Sequence, residues 1–375
     1  MALKKYEIDM CNGSILPKLL KFSLPLMLSS VLQLLFNAAD IIVVGNFASE
    51  HSLAAVGSTT ALINLITNLF LGLSTSSNVL SANYMGAGDD DRVSKTVHTS
   101  LLISVISGLI LTVIGIAFTE QMLIWMQTPE EVLNLSAIYL RIYFGGMVAM
   151  MIYNFGSALL RSKGDTKRPL YYLAFSGVIN IILNLIFVIC FNMDVAGVGL
   201  ATVISQFVSA FLVVRCLYKE TDAFHFDFRK LKIDKKIMSK IFSIGIPAGF
   251  QGVVFSLSNV VIQSSVNSFG PVVMAGSAAA ASIEGFVWVS MNSFSQGALT
   301  FTSQNIGAGK YSRVNKIAVI ACSCAAVAGL VLGNLAYLFG TFLLGIYDPR
   351  PEIIEPGLIR MGLVCVLYFT CGLMG

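Results

Sequence analysis

Two carboxylates lie where carboxylates are costly. Asp40 and Glu284 sit inside long apolar runs, whereas every other acidic residue falls in a polar connecting stretch or in the N-terminal lead. An ionised carboxyl at the centre of a membrane helix costs ~2.5–3.5 kcal/mol on insertion scales, so such residues mark cavities or ion paths by default. The plainer alternative is a carboxyl neutralised within a helix contact, and Ala278–Ala281 beside Glu284 would suit such close packing. Amides and hydroxyls accompany the acids. Asn180 and Asn184 are four residues apart, as are Thr202 and Gln206, so each pair shares a helical face. Alone, such groups could bridge helices, worth about 0.6 kcal/mol each. With Asp40, however, three separate apolar runs can point oxygens at one place.

Other chemistries lack their residues. No Ser/His/Asp or Cys/His set is recognisable, so an enzyme is not expected. His51, His98 and His225 stand at loops or run ends without metal-ligand spacing. The seven cysteines (Cys11, Cys190, Cys216, Cys322, Cys324, Cys365, Cys371) have neither disulfide nor zinc spacing. Gly307-Ala-Gly309-Lys310 looks like the end of a phosphate loop, but Gln304 and Tyr311 break that pattern and no strand precedes it.

The elements that must position these residues are membrane helices. Of 375 residues, 56% are hydrophobic and 12% charged, and the mean hydropathy is +0.80. That composition lies far outside soluble-domain usage. Runs of eighteen or more apolar residues can cross a bilayer core of ~30 Å. The expected fold is an all-α polytopic membrane protein. Spans are expected near residues 19–45, 53–83, 97–118, 132–160, 170–191 and 195–217, and then near 241–266, 272–305, 317–340 and 357–374. Residues 1–17 read as a cytoplasmic lead and 219–239 as a cytoplasmic connector, with the Phe224–Phe228 aromatics resting at the interface.

The sequence also repeats itself. Gly86-Ala-Gly88-Asp-Asp-Asp-Arg-Val-Ser-Lys95 returns as Gly307-Ala-Gly309-Lys-Tyr-Ser-Arg-Val-Asn-Lys316, each copy between two apolar runs. Pro25 pairs with Pro247, Asn37 with Asn259 and Arg141 with Arg360 at nearly the same separation. A duplicated unit of roughly 220 residues follows. Two six-helix lobes are therefore expected, 18–218 and 240–375, the second incomplete with four helices and the last two spans missing. All of the 24 basic residues except Arg141, Arg350 and Arg360 lie in the lead, in the loops after spans two, four, six and eight, or at the span ends that adjoin them. The positive-inside rule then places the N-terminus in the cytoplasm. An even number of spans per unit makes the repeats parallel, a recognised transporter arrangement. Arg141 and Arg360 are expected near the outer starts of their spans.

At this level of detail the chain resembles the multidrug and toxic compound extrusion (MATE) transporters. Pro25 and the Asn37-Ala-Ala-Asp40-Ile-Ile-Val-Val-Gly45 run carry the likeness, with both Gly-Ala-Gly turns (Gly86, Gly88, Gly307, Gly309). Leu160-Arg-Ser-Lys-Gly-Asp165-Thr, Asn180-Ile-Ile-Leu-Asn184 and Val195-Ala-Gly-Val-Gly-Leu-Ala-Thr202 complete it. The resemblance implies a secondary antiporter in the cell membrane, exporting cationic or amphipathic toxic compounds in exchange for sodium ions or protons. It implies no cofactor beyond that coupling ion, and a monomer in the lipid bilayer with small-molecule substrates and no nucleic acid. It assigns the cation-coupling site to Asp40, Asn180, Asn184 and Thr202, with Glu284 a possible second-lobe acid. Two departures from the family pattern stand out. Position 184, commonly an acid, is Asn184 here, and the span-seven glutamate of some members is missing around Ser256. A lipid-linked precursor flippase is the alternative within the wider superfamily, although flippases usually line the cavity with Arg. A non-transporting membrane scaffold is the other.

Overall fold

The computed structural model describes residues 6–47, 50–126, 128–267, 269–347 and 349–374. Among them the chain is helical throughout, as its apolar runs dictate in a solvent that cannot satisfy backbone groups. The helices are α1 (Ile15–Phe47), α2 (Glu50–Gly86), α3 (Asp90–Trp125), α4 (Glu130–Gly145), α5 (Met147–Ser162), α6 (Lys167–Leu185) and α7 (Asp194–Tyr218). They continue as α8 (Lys235–Asn267), α9 (Pro271–Gly307), α10 (Tyr311–Leu338), α11 (Gly340–Tyr347), α12 (Pro351–Val364) and α13 (Phe369–Met374). Among the described residues eight spans are long and apolar enough to cross a membrane, and α4 with α5, bent by 47°, makes a ninth if the pair is one span. The expected second span is α2. Its 37 residues reach about 55 Å, but Asn64, Asn68, Ser74, Ser76, Ser77 and Asn78 make it less apolar than its neighbours.

Three spans depart from the continuous helices expected, the tenth by a turn over residues 365–368 between α12 and α13. Span four breaks at Gly146, where Gly145-Gly146 replaces two side chains and the chain turns. Span five ends in a π-helical segment, Ile186–Cys190, directly after α6. Such wide turns are rare and gather at functional sites.

The repeated turn is built twice with one set of backbone bonds. In the first copy the N–H groups of Ala87, Gly88 and Asp89 donate to the carbonyls of Asn83, Met85 and Tyr84 at 3.0, 3.1 and 3.0 Å. In the second, those of Ala308, Gly309 and Lys310 donate to Gln304, Ile306 and Asn305 at 2.9, 3.0 and 2.8 Å. Gly88 and Gly309 have φ of 70° and 69°, a left-handed backbone that glycine adopts without a Cβ penalty.

The chain forms two compact units. One is Met1–Glu7 with Leu32–Val253, the other Ile8–Val31 with Val254–Gly375. Apart from the break after Glu7, their boundaries fall inside α1 and α8, at positions separated as Pro25 is from Pro247. In the first unit α3 packs on α5 closely enough that Gly108 faces the Val148 backbone. There Thr112 Oγ1 donates to the Phe144 carbonyl at 2.7 Å and Asn78 Nδ2 to that of Ala158 at 2.9 Å. In the second unit, Met10, Leu19, Phe22, Phe301 and Ile317 form one buried cluster, with Phe22 and Phe301 edge to face.

Candidate functional site: the Asp40 ring

Asp40, Asn180, Asn184 and Thr202 come together within the first unit. Asp40 lies on the C-terminal half of α1, the two asparagines one turn apart on α6, and Thr202 on α7. Asn184 Nδ2 donates to Asp40 Oδ1 at 2.5 Å and contacts Asn180 Oδ1 at 3.3 Å. Asn180 Nδ2 donates to Thr202 Oγ1 at 3.3 Å, and Thr202 Oγ1 lies 3.4 Å from Asp40 Oδ2. The four side chains thus close a ring. The Thr202 hydroxyl has one proton, and the Val198 carbonyl at 2.9 Å is its nearer acceptor. Asp40 Oδ2 is left with a long contact.

Charge and burial make this ring unusual. Asp40 is 8% exposed and Asn184 fully buried, yet among the described residues Asp40 makes no ion pair. A buried carboxylate without a cation carries a large desolvation penalty. Asn184 Oδ1 is also buried, with no hydrogen-bond partner; each such orphan needs a physical explanation. The oxygens of Asp40, Asn180, Asn184 and Thr202 are hard ligands of the type that suits sodium rather than a transition metal. A proton on Asp40 would equally remove the charge. The donor set fits either ion. Gln206, which shares a face with Thr202, hydrogen-bonds Tyr143 and stays outside the ring.

Glu284 is held differently. It lies on α9 in the second unit, where Arg360 of α12 grips it with two parallel bonds, Nε to Oε1 and Nη2 to Oε2, both 2.9 Å. Arg360 Nη1 also donates to Ser277 Oγ at 2.6 Å. The carboxylate is compensated, unlike Asp40. Arg360 sits well inside α12, which begins at Pro351, and not at the outer start of its span. Glu352, Glu355 and Pro356, read as a loop, extend the helix one and a half turns upstream. Its repeat partner Arg141 likewise lies within α4 and reaches Glu120 at 2.6 Å, on an exposed face.

Sequence reasoning missed a second ionic centre, where α5 meets α6. Lys163 is 1% exposed and its Nζ lies 2.8 Å from Glu7, 2.9 Å from Glu220 and 2.9 Å from Asp222. The three carboxylates are close enough to hold a metal ion, but the ammonium already stands among them. Phe224 offers its ring to the same ammonium at 5.2 Å. Arg168 pairs with Asp165 and, at 2.6 Å, with Glu220. Burial pushes the Asp165 carboxyl above the usual range despite Arg168. The available signal was Lys163 itself, inside a motif where a solvated loop lysine would need no fixed spacing.

The comparisons with known proteins agree with this architecture. The MatE family model matches residues 25–186 and 247–373. The probable multidrug resistance protein YoeA of Bacillus subtilis (strain 168) is 30% identical over 338 residues, covering 88% of this chain and 73% of that protein. The multidrug export protein MepA of Staphylococcus haemolyticus is 24% identical over 346 residues, covering 92% of this chain and 76% of that protein. Among solved structures, an outward-facing multidrug resistance MATE family transporter of the MOP superfamily superposes with a TM-score of 0.90. It is 21% identical and covers all of this chain and 85% of its own. With the family model spanning most of the sequence, the chain belongs to the MatE family of multidrug efflux transporters.

Proposed function

We propose that the protein is a secondary active antiporter that exports cationic or amphipathic toxic compounds in exchange for sodium ions or protons. It works by alternating access, with Asp40 as the coupling carboxylate. The observation that carries this reading is the Asp40 ring, a buried carboxylate with no ion pair among the described residues, beside an orphaned amide oxygen. A site that gains a positive charge and becomes neutral when filled can bias two conformations only through differential affinity. Asn180, Asn184 and Thr202 would supply the remaining oxygens for sodium, or hold the Asp40 carboxyl in place for a proton. YoeA and MepA, by their names, support a drug-like substrate. The distribution of Lys and Arg supports a cell-membrane protein with its N-terminus in the cytoplasm.

The test is dye export from liposomes holding the purified protein, under an imposed sodium or proton gradient. Asp40→Asn keeps shape and hydrogen bonding but mimics the filled, neutral state. It is expected to fold and bind substrate yet lose gradient-driven export. Export by the parent protein that survives in sodium-free buffer identifies the proton. Normal export by Asp40→Asn, with loss in Glu284→Gln, would move the coupling site to the second unit and overturn the assignment.

A further inference from the structure

A groove of about 1040 Å³ opens in the first unit between the start of α3 and the segment joining α7 to α8. Its walls are basic. Lys230 and Lys232 come from the connecting segment, Lys235 and Lys236 from the first turn of α8, and Arg92 and Lys95 from α3. Arg92 is matched by Asp89 at 3.2 Å and Lys95 by Asp91 at 2.5 Å. Lys230, Lys232, Lys235 and Lys236 form no ion pair among the described residues. Asp234 also lines the groove and accepts from the backbone N–H groups of Lys236 and Ile237 at 2.9 and 3.1 Å. Those N–H groups, Ile237 first, hold its carboxyl below the usual range, and Lys95 and Lys236 add to the effect. The groove lining therefore carries seven Lys and Arg side chains against two acidic ones, an excess of positive charge.

The connector is also pinned in place. The Asp227 N–H donates to His98 Nε2 at 3.2 Å and the Asp234 N–H to Thr99 Oγ1 at 3.1 Å, both on α3. His98 Nδ1 lies 2.8 Å from the Ser94 carbonyl, so the neutral tautomer that donates there satisfies both bonds. Lys240, at the groove's inner end, donates to Tyr84 Oη at 3.0 Å. The lysines thus stand on a fixed scaffold. The ends of three membrane-spanning helices meet here: α7 stops at Tyr218, α3 starts at Asp90 and α8 at Lys235. Large apolar side chains stay uncovered at the same level, with Tyr218 53% and Phe228 60% exposed and Leu231 beside them. A basic groove edged by exposed aromatics at the ends of spanning helices matches the headgroup layer of a bilayer.

We propose that this groove binds the phosphate headgroup of an anionic phospholipid from the leaflet it faces, with Phe228 and Leu231 entering the acyl boundary. The ligand chemistry is a phosphodiester, which a soluble phosphate could imitate in charge but not in its apolar attachment. A juxtamembrane lysine contributes roughly a fivefold preference for anionic over neutral lipid. Removing three lowers that preference on the order of 100-fold.

The experiment is amide hydrogen exchange on the purified protein in bilayer discs of phosphatidylcholine alone, and in discs with a fraction of phosphatidylglycerol. Residues 227–240 are expected to exchange more slowly with phosphatidylglycerol present. The triple variant Lys232→Gln, Lys235→Gln, Lys236→Gln should match the parent in neutral discs, which reports an intact fold, and show no slowing in anionic ones. A double variant, Lys232→Gln with Lys236→Gln, covers the case in which the triple variant misfolds. Equal exchange of the parent in both discs overturns the site. Slowing by inorganic phosphate in neutral discs, to the same degree, overturns the lipid in favour of a soluble anion.

Discussion

Replacing Lys163 with methionine keeps most of the side-chain volume and removes the charge on which three carboxylates converge. Glu7, Glu220 and Asp222 would then stand with oxygens within 4.8 Å of one another and no ammonium between them. At that separation and an effective dielectric of about 20, each ionised pair repels by ~3.5 kcal/mol. Protonation and local opening relieve part of this, so the expected loss is about 3–5 kcal/mol, the usual cost of removing one partner from a buried ion pair. In a chain of this size that lowers the unfolding midpoint by about 4–6 °C. The assay is thermal unfolding of the detergent-solubilised protein at pH 7.5 and pH 5. Mutual repulsion in the variant disfavours its folded state as long as the three groups are charged, and lowering the pH relieves it. The deficit against the parent should therefore be largest at pH 7.5 and narrow as pH falls. In the parent, burial works against the Lys163 charge, but hydrogen bonds to Asp222, Glu7 and Glu220 outweigh it and hold the ammonium above its ordinary 10.5. A raised lysine contributes fully below that value and loses its contribution only as pH rises past it. Both assay conditions lie on the full side, so the narrowing belongs to the carboxylates. A loss under ~1 kcal/mol without pH dependence would refute the reasoning, because exposed pairs behave in that way.

Three further outcomes follow from the geometry. Glu284→Gln, which leaves Arg360 unpaired, should lower stability by about 3–5 kcal/mol, and Glu284→Gln with Arg360→Gln should recover part of it, read as a non-additive double-mutant cycle in unfolding midpoints. Gly88→Ala and Gly309→Ala should each cost about 1–2 kcal/mol, because both positions require left-handed backbone; equal losses in the two copies would show up as equal midpoint shifts. Single cysteines at Asp90 and Glu130, in a cysteine-free background, should differ in intact cells: an impermeant thiol reagent should label position 130 and spare position 90, and the reverse pattern would invert the proposed orientation.

How far the sequence reveals the site depends on the range of each contact. The Asn180–Asn184 pairing is local, so a four-residue spacing exposes it directly, and the insertion cost of Asp40 singles that residue out. The closure of the ring joins α1, α6 and α7, and no spacing encodes it; resemblance to a family supplied that step. The repeat was legible because the turn glycines do the same backbone work twice, as the matching bonds of Ala87–Asp89 and Ala308–Lys310 demonstrate. By contrast, the partners of Lys163 lie in the lead and beyond α7, and the Glu284–Arg360 pair joins α9 to α12. Charges so distant in sequence look like independent loop or span residues until packing brings them together. The break at Gly146 and the π-helical turns after Leu185 escaped for a different reason. Hydropathy reports that a segment is apolar but not where its hydrogen-bond ladder changes register.

The ring around Asp40 has one carboxylate among its described members, because residue 184 is an amide. On the proposed function that single acid sets an exchange stoichiometry of one monovalent ion per cycle. Exporting an organic cation of charge +1 then moves no net charge, and the membrane voltage cancels. The steepest attainable ratio of such a drug, outside over inside, equals the ratio of the coupling ion. An uncharged amphipath leaves one positive charge flowing inward per turnover, and 100 mV then adds ~2.3 kcal/mol. That is on the order of 50-fold in the limiting ratio. A dication would have to climb the same voltage. The one amide in place of an acid therefore ranks the substrates by their charge, neutral compounds being expelled most steeply and dications least.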